Sequence, residues 1–334
     1  MKENTKIAVI GLGGVAQLVR LPILSKINSA EIVAVSELSK TRLNTVADKF
    51  RIKERFTNFK EMIEKVDFDA AIISTPTNTH KDIAVECLNN KKHVLIEKPI
   101  ALNFEEAKEF DDAAKRNKRN AMVGMNFRFR PDTMLLKSLI NSGELGELFY
   151  IKCGWSRKQS SQQKWFNKKN LAGGGVLLDL GIVLLDTALW LLDYPKINNV
   201  TAQNFYHSQT AMEDSSVGFV RFNNSSILNY EVSWSFHDET DSFKLAALGT
   251  EGTGHLNPLR AYKKVGSTRV DYSVSSGTQS KNLIKKSYEN ELKHFIGAIN
   301  NSTPLISSSD EALLRMKLVE NLYNSAKNKS EINF

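Results

Sequence analysis

The chain has 334 residues, more than a single core usually holds, so two domains are expected. At 41% hydrophobic and 25% charged residues it has an ordinary globular composition, which excludes a disordered or collagen-like chain. The net charge of +8 comes from scattered Lys and Arg with no nucleic-acid motif, so no nucleic-acid partner is expected. The two cysteines, Cys87 and Cys153, make neither a disulfide framework nor a zinc site; no metal is expected, and a reducing, cytoplasmic setting is. The first apolar run is broken by glycines and Gln17 and reads as a strand rather than a signal peptide. The most apolar segment, 176–192, carries Asp179, Gly181 and Asp186 and is short for a bilayer, so no membrane association is expected.

Lys6 to Ile10 reads as a buried strand that runs into the turn Gly11-Leu12-Gly13-Gly14-Val15-Ala16 and then a helix. The spacing G-x-G-x-x-A is the fingerprint of a dinucleotide fold. Gly11 permits the tight turn, Gly13 lets backbone approach a pyrophosphate, and Ala16 lets helix and strand pack closely. Leu12, Gly14 and Val15 complete the loop, whose helix N-terminus suits an anion. The next strand, 31–37, ends in Glu37, at the offset of a carboxylate that holds ribose hydroxyls. Glu37 beside a 2′-phosphate would repel it by about 1–4 kcal/mol. NAD is therefore expected over NADP, although Lys40 and Arg42 can offset the repulsion.

Strands and helices continue to alternate to about residue 125, as a doubly wound sheet requires. Helices are expected over 39–50 and 58–65. Strand 69–73 ends in Thr75-Pro76-Thr77-Asn78-Thr79-His80 and leads to a helix at 81–89. Strand 93–96 ends in Glu97-Lys98-Pro99, a site where the proline permits a cis bond. A helix over 103–117 precedes the last parallel strand, 121–124, and Asn126. Ligands of such sheets bind off the carboxyl ends of the strands. Glu37, Thr75, Pro76, Asn78, His80, Glu97, Lys98 and Asn126 all fall there.

Beyond Asn126 the pattern changes. A helix near 131–142 gives way to strand 148–155 and the helix 176–192. Consecutive strands follow, among them 217–222, 227–234, 243–248 and 269–274. With no crossover helix between them they are expected to pair antiparallel. Helices at 287–300 and 309–327 close the chain, the last capped by Ser307, Ser308 or Ser309 with Glu311. The fold class is thus an N-terminal Rossmann α/β domain (1–125) followed by an α+β domain (126–334). The latter is an open antiparallel sheet with helices on one face, and the last helix has the option of packing back on the first domain.

The glycine turn, the Thr75 to His80 loop, Glu97-Lys98-Pro99, Gly173-Gly174-Gly175 with Asp179-Leu180-Gly181, and Asn324-Ser325-Ala326-Lys327 occur in that order. In this the whole chain resembles the glucose-fructose oxidoreductase, inositol dehydrogenase and rhizopine catabolism (Gfo/Idh/MocA) family. The resemblance implies an NAD(P)-dependent dehydrogenase of a sugar, sugar acid or polyol, assembled as a homodimer or homotetramer through the C-terminal sheet. It implies that Lys98 handles the proton that accompanies hydride transfer and that Asp179 hydrogen-bonds the substrate. Asn126 and Arg128 would contact cofactor and substrate, and Trp165 would stack on a sugar face or serve as core. Arg130 competes with Arg128 for that role; Asp186, one heptad past Asp179, reads as structural.

The chain departs from the family at Val183, where relatives carry a histidine four residues after the Asp. Valine moves no proton, and losing a general base costs typically about 10²–10⁴ in rate. Either Lys98 acts alone, or another group such as His237 or Tyr206 substitutes, or the protein performs no net oxidation. That last alternative is an epimerase- or hydrolase-type relative that retains its cofactor, or a degenerate binding protein. His93, His207, His255 and His294 read as ordinary residues, and Asn167, Lys168 and Lys169 as solvated.

Overall fold

A computed structural model describes residues 4–157, 164–207, 212–235, 240–271, 273 and 282–334. The chain divides into two compact units, Met1–Asn126 with Lys285–Leu314, and Phe127–Ile284 with Arg315–Phe334.

The first unit is built on six strands: β1 (Thr5–Ile10), β2 (Ala30–Ser36), β3 (Glu54–Phe56), β4 (Ala70–Ile73), β5 (His93–Glu97) and β6 (Ala121–Gly124). They pair in the order β3-β2-β1-β4-β5-β6, all parallel. The order reverses between β1 and β4, which is where open α/β sheets place their ligands. β4 is buried along its whole length, as a strand covered on both faces must be. The short β3 was not evident in the sequence. The helix expected at 39–50 is Lys40–Phe50, with the Ser39 hydroxyl accepting from the Arg42 amide. The chain returns to this unit in the helix Leu283–Ile299, whose buried stripe is Ser287, Glu291, Leu292, Phe295 and Ile296.

The second unit holds nine strands: β7 (Leu148–Ser156), β8 (Ile197–Phe205), β9 (Ser215–Phe222), β10 (Ile227–Ser233), β11 (Ser242–Gly249), β12 (Gly252–Leu256), β13 (Arg260–Val265), β14 (Thr268–Asp271) and β15 (Ile332–Asn333). Their order is β14-β13-β12-β11-β7-β10-β9-β8-β15. One pairing departs from the all-antiparallel expectation: β7 and β10 run parallel, with Ile151 opposite Leu228 and Cys153 opposite Tyr230. β7 is separated from β10 in sequence by the apolar helix and two strands, so it inserts beside β10 without a hairpin. Burial alternates along β8 from Val200 to Phe205, so in this strand one face is covered and the other open. The apolar segment expected as one helix is a π turn, Leu177–Gly181, followed by Ile182–Leu191. Lys169–Leu191 is long and apolar enough to cross a bilayer, but it is buried within its unit.

Candidate active site

In the first unit the glycine turn closes β1. Gly11 has φ +86°, and a Cβ there would lie 2.7 Å from Thr75 Cγ2 and 2.8 Å from the Ser74 carbonyl. Only glycine fits both the conformation and the approach. Its amide donates to the Ser36 carbonyl at 2.8 Å, and Gln17 Nε2 donates to the Leu12 carbonyl at 2.6 Å. Over the next two glycines the situation is reversed. A Cβ on Gly13 would meet nothing closer than 3.9 Å, and one on Gly14 nothing within 4 Å. That clear space beside a helix start is what a pyrophosphate requires, so these residues fit the dinucleotide. Leu12 is buried in the core and offers only backbone to the turn, whereas Val15 is 39% exposed.

Glu37 stands one residue past the end of β2. Its carboxylate accepts from the Leu12 amide at 2.9 Å and the Ser39 amide at 3.0 Å. Arg42, expected as a counter-charge for NADP, instead lies 3.3 Å from Glu37 itself. The carboxylate is therefore fixed beside the glycine turn.

After β4, Thr77–Thr79 forms a single 3-10 turn. The Thr79 hydroxyl lies 2.8 Å from both the Thr75 hydroxyl and the Pro76 carbonyl. Asn78 is exposed and Thr77 buried. His80, expected on the cofactor side, has its ring buried instead: Nδ1 is 2.8 Å from the Pro99 carbonyl and Nε2 2.8 Å from the Thr75 carbonyl. It ties the loop after β4 to the loop after β5, so any influence on a cofactor passes through those loops. Burial pushes its pKa below the ordinary histidine value, against the pull of the two carbonyls and Glu97.

At the end of β5, Glu97 is bonded to Arg20, and Lys98 is half-buried, joined to Pro99 by a cis peptide. Asn126, after β6, donates from Nδ2 to the Ser287 hydroxyl at 2.9 Å. The structure thus gathers the glycine turn, Glu37, the Thr75 loop, Glu97-Lys98 and Asn126 at one edge of one sheet.

In the second unit Asp179 is 3% exposed, and its Oδ2 accepts from Trp234 Nε1 at 3.0 Å. Trp234 lies 5.9 Å from the Phe166 ring, and Phe166 lies 5.4 Å from Trp165, centroid to centroid. The half-buried Trp165 therefore belongs to an aromatic row that ends on the Asp179 carboxylate. Ahead of Asp179, Glu213 Oε1 accepts from the Gly175 amide (3.0 Å), the Leu177 amide (3.1 Å) and the Tyr323 hydroxyl (2.7 Å). A Cβ on Gly175 would collide with the Glu213 carbonyl, so the triple glycine serves this close approach. Burial raises the Glu213 pKa above the ordinary carboxyl range, opposed by those bonds, and raises that of Tyr323 as well.

Arg128 requires a correction. It is fully buried, and its guanidinium grips Asp186 bidentately at 2.6 and 2.7 Å while also bonding the Tyr194 hydroxyl. Arg315 Nη1 lies 2.7 Å from the same carboxylate. A side chain sealed in this way serves the core and cannot reach a substrate anion. Arg130 is likewise taken by Asp132, at 2.6 Å. Asp186 is structural, in line with expectation.

Val183 is 4% exposed and contributes its carbonyl to Thr187 Oγ1 at 2.8 Å. Tyr206 is 58% exposed, and His237 lies outside the described residues. His207, read as ordinary from the sequence, has its Nδ1 2.8 Å from Asp214 Oδ1, and Glu213 and Trp234 carried no signal in the sequence. The Asp214 carbonyl also accepts from the Trp234 amide at 2.7 Å, so one short segment orients His207, Trp234 and the glycine loop. Among the described residues no His/Cys/Asp/Glu cluster could hold a metal.

A six-stranded 3-2-1-4-5-6 sheet with this glycine turn and Glu37 has the make-up of a dinucleotide-binding domain. Residues 5–125 match the oxidoreductase family with the NAD-binding Rossmann fold, and residues 133–255 match the C-terminal domain of that same GFO/IDH/MocA family. The chain belongs to the GFO/IDH/MocA oxidoreductase family. It is 25% identical to D-glucoside 3-dehydrogenase of Escherichia coli K12, covering 96% of this chain and 95% of that one. It is 27% identical to the NAD-dependent scyllo-inositol 2-dehydrogenase of Bacillus subtilis 168, covering 94% and 92%. The fold matches levoglucosan dehydrogenase solved with NADH at a TM-score of 0.89, with 20% identity and 99% of both chains covered.

Proposed function

We propose that this chain oxidises a secondary hydroxyl of a sugar, sugar acid or polyol with NAD as coenzyme. The observation that carries the reading is the strand-end edge of the first unit, where the open space over Gly13 and Gly14, the fixed Glu37 carboxylate and Lys98 occur together. The curated relatives, a glucoside and an inositol dehydrogenase, support the substrate class. NAD, when bound, supplies the hydride acceptor. The backbone around Gly13 and Val15 would hold the pyrophosphate, and Glu37 would accept from the ribose hydroxyls. Lys98 takes the proton of the substrate hydroxyl as its C–H hydride leaves. Within the second unit, Asp179, held by Trp234, is a carboxylate suited to a sugar hydroxyl, and Trp165 is an aromatic face suited to the apolar side of a sugar. The reading places the protein in the cytoplasm as a homodimer or homotetramer built on the second sheet. Exposed Phe205 and Val217 on that sheet support the assembly.

The test is to supply NAD with a panel of glucosides, inositols, aldoses and sugar acids. Reduction of NAD with at least one is expected; coenzyme binding without turnover of any would remove the dehydrogenase reading. Val183, buried and without a proton to give, favours a second reading in which the substrate is oxidised and reduced again within one cycle. Product formation with no net change in nicotinamide absorbance selects it.

Coenzyme choice is testable at Glu37. A Glu37→Ser variant is expected to gain affinity for NADP relative to NAD by about tenfold or more, because the charge that repels a 2′-phosphate is gone and Arg42 is released. An unaltered ratio of the two dissociation constants would place the ribose elsewhere.

A further inference from the structure

Three successive main-chain amides just ahead of Asp179 end on a residue that the proposed mechanism does not use. Glu213 is 2% exposed, and its Oε1 accepts from the Gly175 amide at 3.0 Å and the Leu177 amide at 3.1 Å. Its own carbonyl accepts from the Val176 amide between them, also at 3.0 Å. The Tyr323 hydroxyl donates to the same Oε1 at 2.7 Å. Glycine lets these groups close up: a Cβ on Gly174 would collide with the Tyr323 hydroxyl, and one on Gly175 with the Glu213 carbonyl.

The first amides of a helix need acceptors from outside it, and a Ser, Thr, Asp or Asn at its start normally supplies one. Here that place is taken by Val176, whose side chain offers no acceptor, and three glycines precede it. The acceptor comes instead from 38 positions further along the chain. The turn it holds, Leu177–Gly181, is a π turn with Asp179 at its centre, and the Asp179 amide closes on the Gly175 carbonyl at 3.1 Å. Widened turns of this kind are rare and are frequent at functional sites. The residue after Glu213 reaches Asp179 by a second route. The Asp214 carbonyl accepts from the Trp234 amide at 2.7 Å, and the Trp234 indole donates to Asp179 Oδ2 at 3.0 Å. Main chain and side chain of Asp179 are thus both referred to one dipeptide.

We propose that Glu213 is a positioning residue of the substrate site: its acceptor oxygens set the turn that aims the Asp179 carboxylate, while Trp234, held by Asp214, fixes that carboxylate from the side. This rests on the reading in which Asp179 meets a sugar hydroxyl. The role requires only an acceptor at Oε1, which a glutamine supplies as a glutamate does. Glu213 acts on the sugar through Asp179 alone, so its loss falls on substrate affinity rather than on the hydride step.

The experiment compares Glu213→Gln and Glu213→Met in the full chain by two readouts. The first is the indole N–H resonance of Trp234 in a ¹⁵N-labelled sample, identified among the four tryptophans by its disappearance in Trp234→Phe. In Glu213→Met it is expected to move upfield as the hydrogen bond to Asp179 loosens, while the Trp155 and Trp190 indoles stay in place and report an intact fold. The second readout is kinetic, with whichever sugar the parent oxidises. Glu213→Met is expected to raise KM about tenfold or more, with kcat within about threefold of the parent and the Kd for NAD⁺ unchanged. Glu213→Gln is expected to keep the parent values of both readouts. Where Met prevents folding, Glu213→Asp, which keeps the carboxylate and shortens its reach by one methylene, gives the same reading. Either readout left at its parent value in the folded Met variant overturns the proposal, and so does a Gln variant that fails as Met does. A loss of stability with KM unmoved is the mark of a cap that serves the fold alone, and overturns it too. The indole readout needs no substrate: a parent that oxidises no sugar overturns the dehydrogenase reading, and the resonance still decides whether Glu213 governs Asp179.

Discussion

A Lys98→Met variant is expected to bind NAD⁺ as the parent does and to lose about 10²–10⁴-fold in kcat, with little change in KM. The substitution keeps an unbranched stem of similar length and removes only the amine. The backbone of that loop is held independently, by His80 through the Pro99 carbonyl and by Arg20 through Glu97. Loss of turnover with intact coenzyme binding therefore assigns the missing step to the proton. Since Val183 supplies none, no second base of the usual place is left to mask the loss. The assay uses whichever sugar the parent oxidises, with coenzyme binding measured in parallel. A kcat within about threefold of the parent would remove Lys98 from the chemistry. His207, oriented by Asp214, would then be the next group to replace.

The second large effect is on stability. An Asp186→Ala variant is expected to lose about 3–5 kcal/mol, because Arg128 and Arg315 both rest on that carboxylate and all three side chains are fully buried. For a unit of this size that is a fall in Tm of about 6–20 °C, or no folded protein at all. Differential scanning calorimetry gives the answer. Replacing all three charges together, Arg128→Met, Asp186→Leu and Arg315→Met, is expected to recover part of the loss, since apolar side chains of similar volume need no counter-charge. If Asp186→Ala instead left Tm unchanged and altered KM for the sugar, Arg128 would be a substrate ligand after all.

How much of this was legible beforehand depends on the range of the interaction. The glycine turn, Glu37 and the strand ends are encoded within a few residues, and five of the six parallel strands follow from the same alternation, the three-residue β3 being too short to show. The parallel pairing of β7 with β10 is not encoded locally, because nothing near residue 150 announces a partner near 230. Arg128 was misread for the same reason. An arginine after a parallel strand looks like an anion ligand until Asp186 and Arg315 are brought to it by the fold. Trp234 was invisible because its partner, Asp179, is 55 residues away in the chain. His80 was placed in the right loop, but only the structure shows that its ring faces two carbonyls. Glu291 did leave a trace: an acid in the apolar stripe that includes Leu292 and Phe295 demands a buried partner, although not which one.

The account turns on a nicotinamide ring held at the end of β5 beside an amine. A structure solved with NADH bound tests this most directly. Lys98 Nζ is expected on the side of the ring that presents the transferable hydrogen, within about 3 Å of a polar atom of a substrate or of the water in its place. A ring seated away from Glu97 and Lys98, or an amine turned away from the ring with the coenzyme in place, would contradict the proposed mechanism.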